Sequence, residues 1–164
     1  MSSKNLIAEM EFEITSTTKL LERIPEEKLT WKPNEKAMSL AELAFHVATI
    51  PSTYLTYANE GKTKVEILVH HHIPNSKKEI INSFPVSIEK AKSILNNATE
   101  EWYTQNWELL DGNCIFTIPR SLFCRLLVFN HWYHHRGELV TYLRTLGVAI
   151  PSVYGPSADE NPFA

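Results

Sequence analysis

Residues 131 to 138 read His131-Trp132-Tyr133-His134-His135-Arg136-Gly137-Glu138, the densest run of chemically active side chains in the chain. Imidazoles bind metals and carry protons near neutral pH. On a helix, residues four apart differ by about 40° in azimuth and about 6 Å in height, so His131 and His135 project side by side and can hold one metal ion. His134 points about 60° from His131, on the side away from His135. Cys124, Leu127, Glu138 and Tyr142 fall within about 40° of His131. That stripe is apolar except at its two imidazoles and Glu138, and the core of a helical protein is its natural destination.

Two imidazoles do not complete a catalytic site, because a zinc-type ion takes three protein ligands and keeps one position for water or substrate. His46 is the best third candidate. It falls between Leu43 and Ile50 on an apolar stripe of an earlier helix, where a buried imidazole needs a partner. Taken alone, His46 reads first as a hydrogen-bonded core histidine, and it is the pair on the other helix that brings the ligand reading level with it. Glu138 has four readings: a carboxylate orienting an imidazole, a fourth ligand, a general base, or a plain salt-bridge partner. His70, His71 and His72 read as a solvated loop, and Cys114 and Cys124 as small buried hydrophobes.

These residues need rigid elements to hold them. Leu6, Ile7, Met10, Ile14, Thr17, Leu20 and Leu21 recur at helical spacing and predict a first helix over residues 4 to 24, followed by an ordered loop from 25 to 38. Ser39 with Glu42 forms a capping box that opens a second helix ending near Gly61, with Pro51 expected to kink it. Residues 61 to 75 read as a polar connection. Ser76 with Glu79 repeats the box and opens a third helix to about Asn97, with a second kink at Pro85. Asp111-Gly112-Asn113 marks a turn in a short hairpin or irregular segment between Trp102 and Ile118. Pro119 and Gly147 bracket the fourth helix, and residues 148 to 164 predict an extended tail held by contacts. The far face of the fourth helix, Leu122, Leu126, Phe129, Tyr133 and Val140, is also apolar, so either the helix is central in the bundle or that face meets a second subunit.

Composition removes several classes. The chain has 164 residues, 43% of them hydrophobic, which suits one domain with a substantial core. Lys and Arg number 16 against 19 Asp and Glu, a formal charge of -3, so no broad cationic field exists for nucleic acid or anionic lipid. No apolar run approaches the roughly 18 residues that cross a bilayer. Lys4, Glu9, Glu11 and Glu13 stand where a secretory leader would be apolar, and two cysteines make no disulfide framework. The expectation is a cytoplasmic protein acting on a small molecule, with neither nucleic acid nor membrane as partner.

Three segments carry a family likeness: Trp31-Lys32-Pro33 with Met38-Ser39-Leu40 and Leu43-Ala44-Phe45-His46; the block Asn130-His131 to Leu143-Arg144, of the form N-H-x-x-H-H-R-G-x-L-x-x-Y-L-R; and the tail from Ile150 to Asp159. In these the chain resembles the DinB family, also called the DinB/YfiT-like metalloenzymes. The resemblance implies an all-α, up-down-down-up four-helix bundle, often a homodimer, with a divalent metal on three histidines. The matching positions are His46, His131 and His135; where many relatives have Gln after Arg-Gly, this chain has Glu138. Relatives include thiol-dependent transferases and isomerases that use bacillithiol, mycothiol or glutathione, in which the metal lowers the pKa of the thiol.

The expectation is therefore a single domain, 1–164, with a short hairpin or irregular segment before the last helix. Its site is taken as His46, His131 and His135 on Zn, Ni or Fe, with Glu138 as the candidate catalytic group and a low-molecular-weight thiol as cosubstrate. The leading function is a metal-dependent thiol S-transferase acting on small electrophiles. The alternatives are a hydrolase using metal-bound water, with Glu138 as base, and a metal-binding stress-response protein without turnover.

Overall fold

The computed structural model describes residues 2–69 and 72–163. Its order is α1 (Ser3–Glu22), a 3-10 turn (Glu26–Lys28), α2 (Leu40–Glu60), β1 (Lys62–Lys64), α3 (Val65–Leu68), α4 (Lys77–Asn97) and α5 (Glu100–Thr104). There follow β2 (Asn106–Asp111), β3 (Asn113–Pro119), α6 (Arg120–Phe123), a π-helical segment (Cys124–Asn130) and α7 (His131–Thr145). No helix among the described residues is long and apolar enough to cross a membrane.

Local chemistry sets the helix ends. Ser39 Oγ accepts from the Glu42 amide at 3.2 Å while a Glu42 carboxylate oxygen accepts from the Ser39 amide at 2.7 Å, a complete capping box that starts α2. The second predicted box is only half made. Ser76 Oγ accepts from the Glu79 amide, but the Glu79 carboxylate turns to the Asn75 amide and His72 Nε2, both at 2.8 Å. At the end of α7, Val148 N bonds to Leu143 O and Gly147 N to Arg144 O, each at 3.0 Å. This is a Schellman turn, and Gly147 has the positive φ of 75° that it requires. Both α2 and α4 continue through their internal prolines, Pro51 and Pro85.

The all-α expectation needs correction. The protein is mostly helical, but it carries a three-stranded sheet of order β1-β2-β3. The hairpin expected before the last helix is β2 and β3, antiparallel, with a register shift between Leu109 and Leu110 and Gly112 at φ 71° in the turn. Strand β1 pairs in parallel with β2, and nothing in Lys62-Thr63-Lys64 announces it, since three polar residues have no readable period. The pairing is fastened from inside: Trp107, fully buried, donates its indole N–H to Thr63 Oγ1 at 3.2 Å.

The predicted fourth helix also differs. It is broken into α6, a π-helical segment and α7, so residues before His131 do not keep the 100° step assumed for them. Phe129 on its far face is fully buried, whereas Leu122 and Leu126 are more than 40% exposed. The core runs through the interior faces of the long helices, with Leu20, Leu43, Val47, Ile50, Phe123, Phe129, Trp132, Leu139 and Leu143 all at 0% exposure. The tail after Gly147 is irregular, as expected. It is held by Arg144 to Asp159 at 2.6 Å, Lys19 to Glu160 at 2.8 Å, and the buried Ile150.

Candidate metal centre

Helices α2 and α7 pack against each other, and each delivers imidazoles to their seam. The capping box fixes where α2 begins, which places His46 one turn past Glu42 on the inward side, beside the fully buried Leu43 and Val47. On α7, His131 and His135 stand one turn apart. The three rings meet: centroids lie 5.0 Å apart for His46 and His131, 4.7 Å for His46 and His135, and 4.5 Å for His131 and His135. His131 Nε2 lies 3.3 Å from His46 Nε2 and 2.8 Å from His135 Nε2. One ligand atom from each residue falls within 4.8 Å of the others, and all three residues are half-buried.

Two of the tautomers follow from their partners. His131 Nδ1 lies 3.3 Å from Leu127 O, and a carbonyl oxygen only accepts, so Nδ1 carries the proton. The π-helical segment arranges this. The His131 amide reaches five residues back to Leu126 O, which leaves the Leu127 carbonyl to the ring one turn above it. His135 Nδ1 lies 2.6 Å from Glu138 Oε2, and the carboxylate accepts there. With Nδ1 so engaged on each ring, it is the two Nε2 atoms that face each other, and in the neutral rings each carries a lone pair there.

The donor set fits a divalent ion. Nitrogens about 2.0–2.1 Å from a tetrahedral ion lie about 3.4 Å from one another, close to the separation of His46 and His131. The His131–His135 pair would open by about half an ångström to match. Three imidazoles with no thiolate or carboxylate in the trio suit Zn, Ni or Fe on ligand type, and a three-ligand set keeps a position for an exogenous group.

Beside His46 lies a cavity of about 170 Å³. Among the described residues its walls are aromatic or aliphatic at Phe45, Tyr54, Tyr57 and Leu68, with hydroxyls at Thr49 and Thr53 and ionisable groups at Glu42 and His72. Tyr54 joins cavity and centre, since its ring packs 4.6 Å from that of His131 and 5.6 Å from that of Tyr57. Burial first, and then Tyr57, push its phenol up to about 12, so it remains a neutral hydroxyl at physiological pH.

The other sequence candidates separate cleanly. Cys124 is fully buried and its thiol is pushed up to about 12 by that burial, so it is a packed hydrophobe and not a nucleophile. Cys114 is exposed on β3, 3.2 Å from Thr117 Oγ1, rather than buried as expected. His72 is exposed and bonded to Glu79, while His70 and His71 lie outside the described residues. His134 is exposed, 3.3 Å from Glu138 Oε1. Glu138 is within reach of His134 and His135 and lies on the Nδ1 side of the His135 ring. Sequence reasoning missed the Leu127 carbonyl, for which no residue signal exists. It also missed a site role for Tyr54 and Tyr57, although Tyr57, eleven residues after His46, is within about 20° of it on α2.

Comparison with known proteins gives a consistent picture. The DinB family model matches residues 1–162. YrdA of Bacillus subtilis, described as an uncharacterized protein, is 23% identical over 150 residues, covering 92% of this chain and 86% of its own. The crystal structure of the DinB-like protein YjoA of Bacillus subtilis superposes with a TM-score of 0.66 at 21% identity, covering 95% of this chain and 98% of that one. A DinB-like protein from Bacillus cereus gives 0.70 at 22% identity, covering 92% and 97%. At these identities the structural likeness speaks for the fold.

Proposed function

Because the chain belongs to the DinB family, we propose that it is a divalent-metal-dependent enzyme that joins a low-molecular-weight thiol to a small electrophile. The observation that carries the metal is the convergence of three Nε2 atoms on one half-buried point, with two of the rings held in the tautomer that offers a lone pair. A bound ion would keep the thiol deprotonated at neutral pH. The protein's own contribution is positioning. His46, His131 and His135 set the geometry from two rigid helices. Phe45, Tyr54 and Tyr57 offer an apolar wall to the body of the substrate, and the cavity size restricts it to a small molecule. The reaction balances as RS–H + R′–X → RS–R′ + H–X, with the thiol proton leaving as H–X.

The hydrolytic alternative calls for a general base facing the centre. Glu138, the base weighed for it, has its carboxylate on the Nδ1 side of His135, and Glu42, which lines the cavity beside His46, accepts from the Ser39 amide in the capping box. The same proposal takes the protein as a cytoplasmic, single-domain four-helix bundle of up-down-down-up course. It takes the functional unit as a homodimer, for which the exposed Leu122 and Leu126 on one face of the last helix speak.

The test uses untagged, metal-loaded protein offered bacillithiol, glutathione or coenzyme A with monochlorobimane. A thiol-dependent rate that vanishes in His135→Ala, whose helical circular dichroism is unchanged, is the expected result. No rate above background with any of the thiols contradicts the reading.

A further inference from the structure

We propose that Glu138 is a positioning residue of the metal centre, acting through His135 and never touching the ion. The proposal rests on the reading of His46, His131 and His135 as ligands. Glu138 Oε2 accepts from His135 Nδ1 at 2.6 Å. The two nitrogens of an imidazole point to opposite sides of the ring, so a group that close to Nδ1 stands behind His135 as seen from the point where the three Nε2 atoms meet. The other oxygen, Oε1, lies 3.3 Å from His134 Nε2. Glu138 is three residues beyond His135 and four beyond His134, so one turn of α7 builds the whole clamp.

The contact has two chemical effects. It fixes His135 as the Nδ1–H tautomer, which keeps the Nε2 lone pair on the metal side. It also places a carboxylate behind the ring, which raises the basicity of Nε2 and offsets part of the charge of a bound cation. His131 has a neutral carbonyl in the equivalent place, at the longer distance of 3.3 Å. The two α7 ligands are therefore unequal, and His135 is the one tuned by charge.

The roles weighed for Glu138 separate in one experiment. Apo protein without a tag is titrated with Co²⁺ against a competing chelator, for the wild type, Glu138→Gln, Glu138→Ala and His135→Ala, with apo melting temperatures recorded alongside. Gln keeps an acceptor and the shape but loses the charge, so about a tenfold loss of Co²⁺ affinity is expected, and about a hundredfold loss for Ala, within the range found when a ligand's supporting partner is removed. The visible Co²⁺ bands keep their envelope, because the ligands stay the same, and the apo melting temperatures are unchanged. Equal affinity of the wild type and Glu138→Gln overturns this inference and leaves the three-histidine reading standing. A changed band envelope in Glu138→Gln overturns it by making Glu138 a ligand. Failure of wild type and His135→Ala alike to bind Co²⁺ overturns both.

Discussion

Two polar clusters share α7 and adjoin at His135 and Arg136, yet they are built on opposite plans. Arg136 is 2% exposed and is balanced completely. Its guanidinium meets Glu13 at 2.6 Å, Ser16 Oγ at 3.2 Å, Thr17 Oγ1 at 3.0 Å and the Tyr154 hydroxyl, and that hydroxyl donates to Glu13 at 3.1–3.2 Å. Donor matches acceptor and plus matches minus, so the cluster is finished with the groups it has. The histidine cluster brings three groups of one kind to a point, Nε2 toward Nε2. A cluster closed by its own charges is a fastening between α1, α7 and the tail; a cluster of three imidazoles whose ligand atoms converge could hold a metal ion.

The largest expected effect breaks the closed cluster. Glu13→Ala or Arg136→Ala leaves a buried charge without its counterpart and should cost about 3–5 kcal/mol in urea unfolding. An equal loss in apo His135→Ala, which leaves behind a Glu138 carboxylate that is 41% exposed, would erase the distinction between the clusters.

Metal should sharpen it from the other side. At a free Zn²⁺ concentration 100 times its dissociation constant, wild-type protein should gain about 2.7 kcal/mol of stability. His135→Ala should gain far less at the same concentration, and Tyr154→Phe as much as the wild type. Tyr154→Phe itself, which removes one hydroxyl from the closed cluster, should cost about 1 kcal/mol in the apo protein.

The smallest effect is one of pH. Arg144 holds the Asp159 carboxyl below its usual range, and Lys19 does the same for Glu160. A carboxyl depressed in the folded state stabilises it above the unfolded value, near 4, and that contribution is lost as pH falls through the folded value. Amide protection factors, with the intrinsic pH dependence of exchange divided out, should therefore fall in residues 150 to 160 below about pH 4 before the rest of the chain responds. A uniform fall across the helices would contradict the role given to the tail.

The two clusters were not equally legible from sequence. The histidine site announces itself because an i, i+4 pair on an apolar stripe, with a third imidazole on another, is a local pattern that helical geometry extends into space. The fastening of Arg136 to Glu13 and Tyr154 spans separations of more than a hundred residues on one side, and no period of either helix encodes it. The same contrast runs through the fold. Ser39 with Glu42 and the Gly147 turn are local and follow from residue type. The pairing of Lys62–Lys64 with β2 depends on a partner more than forty residues away. The π-helical segment before His131 lies within Cys124–Asn130, which holds neither glycine nor proline, so residue type does not mark it.

Everything chemical here depends on a cation seated among three rings. Untagged protein crystallised with Zn²⁺, with diffraction data on both sides of the zinc absorption edge, tests this most directly. The account predicts one strong anomalous peak per chain, about 2.0–2.1 Å from Nε2 of His46, His131 and His135. A peak seated instead between His134 and Glu138, or none anywhere near His46, would contradict it.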